Sequence, residues 1–274
     1  MTEGMAAAAR LRQDVTTTLG AAHAGVVERH AQRLLPLAWP ADALAAKLID
    51  GVQHELHETF VDTSWPHCPA HPNHPLWFDE GAWRCSGNGA ALAGLGDLDA
   101  VYFNDAIVGW RKGDFDRLAP LFAERGGEAP LILQWHREGR FEKHPSELAE
   151  ALSNACFLGR TDVVRALIEA GVDPATGTGC GMDGLHWAVN RGKLETVKLL
   201  IERGAPLETI NMHGITALGT AVWSAINEPW WGRAQLEIIE ALLDAGARVE
   251  GAGYPTGHPE IDSLLEKYGA NTQS

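Results

Sequence analysis

The sequence predicts a mainly α protein: a solenoid of stacked helix pairs preceded by a small helical domain. Three observations predict it. Apolar and small residues recur every 33 positions in the C-terminal half. The first 62 residues carry helical apolar spacing with few breakers. Between these two regions, residues 64–89 hold four Pro, three Trp, three His and two Cys, a composition that forbids one continuous helix.

The repeat is the strongest signal. Leu152, Leu185 and Leu218 are 33 residues apart, as are Ala155, Ala188 and Ala221. Gly159 and Gly192 keep the same spacing, and so do Val164 and Val197, Leu167 and Leu200, Ile168 and Ile201, and Gly171 and Gly204. In each unit a short helix uses small Ala where the neighbouring unit comes close. A glycine follows where the chain must reverse with positive φ. A second helix then buries a stripe such as Val197, Leu200 and Ile201, spaced i, i+3, i+4. One unit cannot bury its own apolar face, whereas stacked units share a continuous core.

These residues resemble the ankyrin repeat. The match is closest over residues 183–208, with the Leu185-His186 pair, Ala188, Gly192, and the Gly204-Ala205 ending. It extends over about residues 101–270. The resemblance implies protein recognition through a concave face built from finger loops and first helices. It also implies that His186 hydrogen-bonds the finger backbone.

The flanking repeats depart from the pattern. A helix pair is expected around Gly113, but Gly113 and Gly159 are 46 residues apart, which places an insertion near residues 128–144. Gly204 and Gly246 are 42 apart, and the extra chain falls within residues 224–233. A shortened helix in residues 260–270 reads as a cap. The expected organisation is a helical domain over residues 1–97, then about four repeats and a C-terminal cap over residues 98–274.

In the N-terminal domain, Val26, Val27, Leu34, Leu35 and Leu37 read as one buried face. Leu44, Leu48, Val52 and Leu56, each four apart, form a second apolar stripe. Residues 78–83 suggest a tight hairpin around Glu80-Gly81. Residues 90–100 read as the link into the repeats.

The chain has 22 basic against 36 acidic residues, a formal charge of −14. Residues 1–97 carry 6 basic and 11 acidic side chains, and residues 98–274 carry 16 and 25. Neither part has the basic footprint that neutralises phosphate, which disfavours nucleic acid or an anionic membrane as partner. A basic protein partner is favoured. No run of about 18 apolar residues predicts a membrane span. The N-terminus does not read as a signal peptide, and four Cys in 274 residues do not make a disulfide scaffold, so the expected compartment is the cytoplasm.

Candidate sites follow from residue chemistry. Cys68, His71, His74 and Cys85 supply four ligand types suited to a structural zinc, with His67 as substitute. Against this stands a Pro- and Trp-packed loop with solvent-facing His and reduced thiols. HELHE, residues 54–58, lacks the i, i+4 His pair of a metalloprotease helix. No nucleophile elbow or phosphate loop is present. Cys156 reads as core, and Cys180 sits in a Gly-rich finger without a partner in sequence. The chain has 10 Trp against 3 Tyr. Trp187, Asn190, Arg191 and Trp223 on first helices, with Trp230 and Trp231 on the insertion, are the expected partner anchors, since Trp and Arg dominate interface hot spots.

The leading expectation is therefore a non-enzymatic module that binds a basic protein. Its specific alternative is an immunity or antitoxin-like protein that masks a toxin. Further alternatives place chemistry in the N-terminal domain, or make the chain a structural adaptor whose N-terminal helices self-associate.

Overall fold

The computed structural model describes residues 2–37, 39–124, 127–176, 179, 181–228 and 234–271. The chain divides into two compact units. One comprises Met1–Ala106 and Ala123–Leu131, the other Ile107–Phe122 and Ile132–Ser274.

The first unit begins with three helices: α1 (Glu3–Leu19), α2 (Ala24–Leu34) and α3 (Ala41–Glu58). Thr2 caps α1 by accepting the Met5 N–H, satisfying one of its orphan donors. Leu44, Leu48, Val52 and Leu56 are all buried on α3, as their four-residue spacing requires. Val26 and Val27 are buried on α2, but Leu37 is exposed, because α2 stops at Leu34 and residues 35–37 wind into a 3-10 turn. That turn breaks the helical phase on which the expected face depended.

The helices are followed by a four-stranded antiparallel sheet in the order β1-β2-β3-β4: His67–Cys68, His71–Asp79, Ala82–Cys85 and Ala91–Gly94. The sequence suggested only one hairpin here. That hairpin is β2–β3, where Asp79 pairs with Ala82, and Glu80 (φ 48°) and Gly81 (φ 78°) take the left-handed turn that matches strand twist. Residues 90–100, expected as a linker, contribute β4 to the sheet edge. The prolines that exclude a helix do not exclude strands, provided they sit at edges and bulges. Pro75 pairs with His67 at an irregular β1–β2 register.

Side chains alternate across the sheet. Leu76 and Cys85 pair on one face and are buried; Trp83 on that face is buried and its partner Phe78 partly so, whereas Trp77 is exposed on the other. The buried face joins Leu11 and Val15 of α1 and Val52 and Leu56 of α3 in one apolar cluster. Trp65 and Trp83 meet edge to face, with ring centroids 5.7 Å apart. Fully burying each large apolar side chain contributes roughly 1.5–3 kcal/mol.

The division between units falls inside α4 (Leu98–Lys112), so residue 97 marks the start of this helix. In the second unit, the expected partner helix after Gly113 is a single 3-10 turn, Ala119–Phe122. The insertion contains α5 (Leu131–Arg137) and a 3-10 turn, Arg140–Lys143. Three helix pairs follow: α6 (Pro145–Leu158) with α7 (Thr161–Glu169), α8 (Gly184–Asn190) with α9 (Leu194–Glu202), and α10 (Ala217–Asn227) with α11 (Ala234–Asp244). A 3-10 turn, Val249–Ala252, and α12 (Pro259–Lys267) end the stack.

First helices pack on first helices, α6 on α8 on α10, and second helices likewise, α7 on α9 on α11. The 33-residue positions form the shared core. Leu152, Ala155, Ala188, Leu218, Ala221, Val164, Val197, Leu167 and Leu200 are fully buried. Gly184 shows why small residues recur: a Cβ there would lie 3.0 Å from Cys156 Sγ. Gly159 ends α6 with φ 72°, a conformation an L side chain rarely adopts.

Candidate functional site

The finger preceding α10 is built by Asn211. Its Oδ1 accepts the His213 and Ile215 N–H groups, while the Asn211 N–H donates to the Ile215 carbonyl. This closes a tight hairpin over residues 211–215. His186 fastens the finger to the previous repeat. It is buried, and its Nε2 lies 3.2 Å from the Ile215 carbonyl oxygen. Its Nδ1 lies 2.8 Å from Asp183 Oδ1, and the same oxygen accepts the His186 backbone N–H at 2.9 Å as the N-cap of α8. Successive fingers also meet directly, since the Met212 N–H donates to the Gly181 carbonyl at 2.8 Å.

This anchoring leaves apolar side chains outside. Ile210 and Met212 on the finger are 65% and 67% exposed, and Trp223 on α10 is 49% exposed. Ile226, three residues after Trp223 on the same helical face, is also exposed. Ile210, Met212 and Ile226 were not singled out by sequence reasoning. The finger that the repeat resemblance implies ahead of α10 was the signal that could have found the first two.

The other expected anchors differ in their surroundings. Trp187 is half-buried and packs edge to face on Phe115 and Phe157, with centroids 5.5 and 5.4 Å away. Its indole N–H is buried without a hydrogen-bond partner among the described residues. Arg191 lies over the Phe157 ring, 4.2 Å from its centroid. Asn190 donates to Ser224 Oγ at 3.3 Å, linking α8 to α10. Trp230 and Trp231 lie outside the described residues, as does Cys180. Cys156 is fully buried, and burial pushes its thiol well above the usual range.

In the first unit, the sheet gathers three of the four expected ligands. Ligand atoms of Cys68, His71 and Cys85 all lie within 4.8 Å of one another. His74 is not in that group. His74 is exposed on β2, inside the irregular stretch where the single step from His67 to Cys68 on β1 spans residues 71–75 of β2, and its ring lies 6.4 Å from that of His71. His67 is engaged elsewhere: its Nδ1 lies 3.0 Å from Ser64 Oγ and its Nε2 2.9 Å from Asp62 Oδ2. Burial pushes the Cys68 thiol up. At Cys85 burial is outweighed by the backbone N–H donors of Asn88 and Gly87 together with hydrogen bonds to Cys68 and His71, which draw it down to about 7.

A further buried group, Asp14 on α1, accepts from Trp83 Nε1 at 2.8 Å, Gly96 N at 2.8 Å and Leu98 N at 3.0 Å. Its donors lie far away in sequence, so no local pattern marked it.

Comparison with known proteins places these elements. Residues 150–251, the three helix pairs, match the family model for ankyrin repeats, in three copies. Over 90 residues, 32% of this chain, the sequence is 33% identical to protein phosphatase 1 regulatory subunit 12A of Mus musculus, and it matches the Rattus norvegicus protein equally. The aligned stretch is 9% of the length of those relatives. Among the described residues no helix is long and apolar enough to cross a membrane.

Proposed function

We propose that the ankyrin stack over residues 150–251 recognises a protein partner through the finger at residues 208–214 and the first helices beside it. Ankyrin repeats are protein-interaction modules, and the family model matches these residues. The observation that carries the surface is the exposure of Ile210, Met212 and Trp223 on elements whose backbones are held by buried polar contacts. Large apolar side chains displayed on a rigid frame bind at little entropic cost. Trp223 is the anchor, flanked by Ile226.

The partner is basic. A formal charge of −14 favours a cationic protein and accelerates its encounter in a salt-dependent way. The role is recognition rather than catalysis. The matched relatives are named as a regulatory subunit, which supports a binding role for the shared repeats.

The test is site-specific photocrosslinking. A crosslinker at position 223 should capture the partner, and one at exposed Lys198 on α9 should not. Replacing Met212 and Trp223 together by Ala should weaken binding at least tenfold, and raising salt from 50 to 200 mM (a general range for screening tests) should slow association. Capture from position 198 alone, or unchanged affinity in the double variant, would reject this surface.

A further inference from the structure

We propose that the sheet of the first unit holds one zinc-class ion through Cys68 Sγ, His71 Nδ1 and Cys85 Sγ, with solvent at the fourth coordination position. This site is separate from the partner surface, which belongs to the other unit, so either reading can fail without the other.

The geometry comes first. His71 Nδ1 lies 3.6 Å from Cys68 Sγ and 3.1 Å from Cys85 Sγ, and the three ligand atoms stay within 4.8 Å of one another. Ligands of one tetrahedral zinc, with Zn–S about 2.3 Å and Zn–N about 2.0–2.1 Å, stand about 3.5–3.8 Å apart. A single thiol–imidazole hydrogen bond would account for one of these approaches. Here two sulfurs and one ring nitrogen, all metal-ligating atoms, are gathered together.

The backbone around the sulfurs supports the same conclusion. The Gly87 N–H donates to Cys85 Sγ at 3.3 Å. Backbone N–H groups of Ala70 and His71 face Cys68, and that of Asn88 also faces Cys85. Amide donors aimed at sulfur stabilise a thiolate, the form that binds metal, and they orient it. Two turns supply them: the β1–β2 turn, which carries Cys68 and His71, and the turn after β3, which carries Gly87. Gly87 lets the second turn close on the imidazole, because a Cβ there would lie 3.2 Å from two ring atoms of His71. The ring is thereby clamped between the turns.

The chemistry of the set fits a borderline-soft ion. Two thiolates and one imidazole favour zinc over magnesium or calcium, which take oxygen ligands. Cys68 and Cys85 are about 1% exposed, whereas His71 is half-buried. The site is therefore closed on the core side and open beside His71. His74 is exposed and its ring nitrogens are not among the gathered ligand atoms, so the fourth position is assigned to solvent.

The experiment uses the full chain, purified under reducing conditions with zinc supplied and then dialysed. Metal analysis should find about one zinc per chain. Cys68→Ser and Cys85→Ser should each fall at least tenfold, while His74→Ala and Cys156→Ser keep the full equivalent. Wild-type protein stripped of metal and titrated with Co²⁺ should develop thiolate-to-cobalt charge-transfer absorption and tetrahedral ligand-field bands. Zinc should then protect two thiols from a thiol reagent, a readout that stands even where a serine variant fails to fold. Less than a tenth of an equivalent in wild type, no cobalt–thiolate band, or a Cys68–Cys85 disulfide in the reduced preparation would overturn the site. Loss of zinc in folded His74→Ala would overturn the solvent-filled fourth position.

Discussion

The indole of Trp83 donates to Asp14 Oδ2 at 2.8 Å, joining β3 to α1 across 69 residues of sequence. Gly96 and Leu98 complete the arrangement from the chain after β4. One buried carboxylate thus fixes the sheet, its exit strand and the first helix in mutual register. Losing it leaves three buried N–H groups to be satisfied elsewhere, and each unsatisfied group costs roughly 1–3 kcal/mol. Asp14→Ala is therefore expected to destabilise the first unit by several kcal/mol, measured by urea unfolding of the full chain followed through Trp fluorescence.

The same residue gives a pH dependence. Burial raises the Asp14 carboxyl to about 6, against the lowering effect of its hydrogen bonds to Gly96, Trp83 and Leu98. In the unfolded chain it titrates near its ordinary value of about 3.9. Between those values the folded state binds more protons than the unfolded state. The stability contributed by this group is thus greatest below about pH 4, and it falls as pH rises through about 6. Asp14→Asn cannot titrate, so the stability gap between wild type and variant should be wider at pH 4.5 than at pH 7. A gap that narrows on acidification would mean that the three donors outweigh burial and keep the carboxylate ionised.

His186 and Asp183 offer a second test of buried polar structure. Both are about 1% exposed, and His186 links the Asp183 cap to the finger carbonyl of Ile215. His186→Ala removes both side-chain contacts and leaves the Ile215 carbonyl with the Asn211 N–H alone. The expected cost is about 1–3 kcal/mol, with faster amide exchange over residues 211–215. Wild-type exchange rates in that finger would show that it holds itself.

The contrast between these two buried groups explains how much of the molecule was legible in the sequence. His186 sits in a local pattern three residues from its partner Asp183, so resemblance found it. Asp14 depends on partners 69 to 84 residues away, and nothing near it announces them. The repeats were legible because close helix approach forces small residues at fixed intervals, as Ala155, Ala188 and Ala221 show. The sheet was not, because β1 is two residues long, β4 is four, and prolines interrupt the alternation. Missing the strands also obscured the ligand set. The β1–β2 irregularity sets His71 opposite Cys68 and leaves His74 exposed, whereas the sequence spacing alone treated them as equals.

Trp187 separates packing from polarity. Its ring closes a cluster with Phe115 and Phe157, whose own centroids are 5.6 Å apart, yet its N–H is buried without a partner among the described residues. Trp187→Phe keeps an aromatic ring and deletes the unsatisfied donor, so it should change stability by less than about 1 kcal/mol. Trp187→Ala opens a cavity and should cost about 3–5 kcal/mol. If Phe proves as damaging as Ala, the indole N–H has a partner that the cluster geometry does not reveal.

Trp223 should behave in the opposite way. It is 49% exposed on α10, and its contact with the fold includes only part of the ring. Trp223→Ala should therefore shift the urea midpoint little, by about 0.5 kcal/mol or less, as is usual for surface substitutions. A side chain that stability does not require, yet that displays a large apolar ring beside Ile226, is one whose removal should be felt in binding. The expected loss is about 2 kcal/mol or more, the scale of an interface hot spot. Titrating the identified partner against wild type and Trp223→Ala, with Trp187→Phe on α8 as a control that keeps an aromatic ring beside Phe115 and Phe157, measures it. Equal affinities for all three proteins would move the recognition surface away from α10.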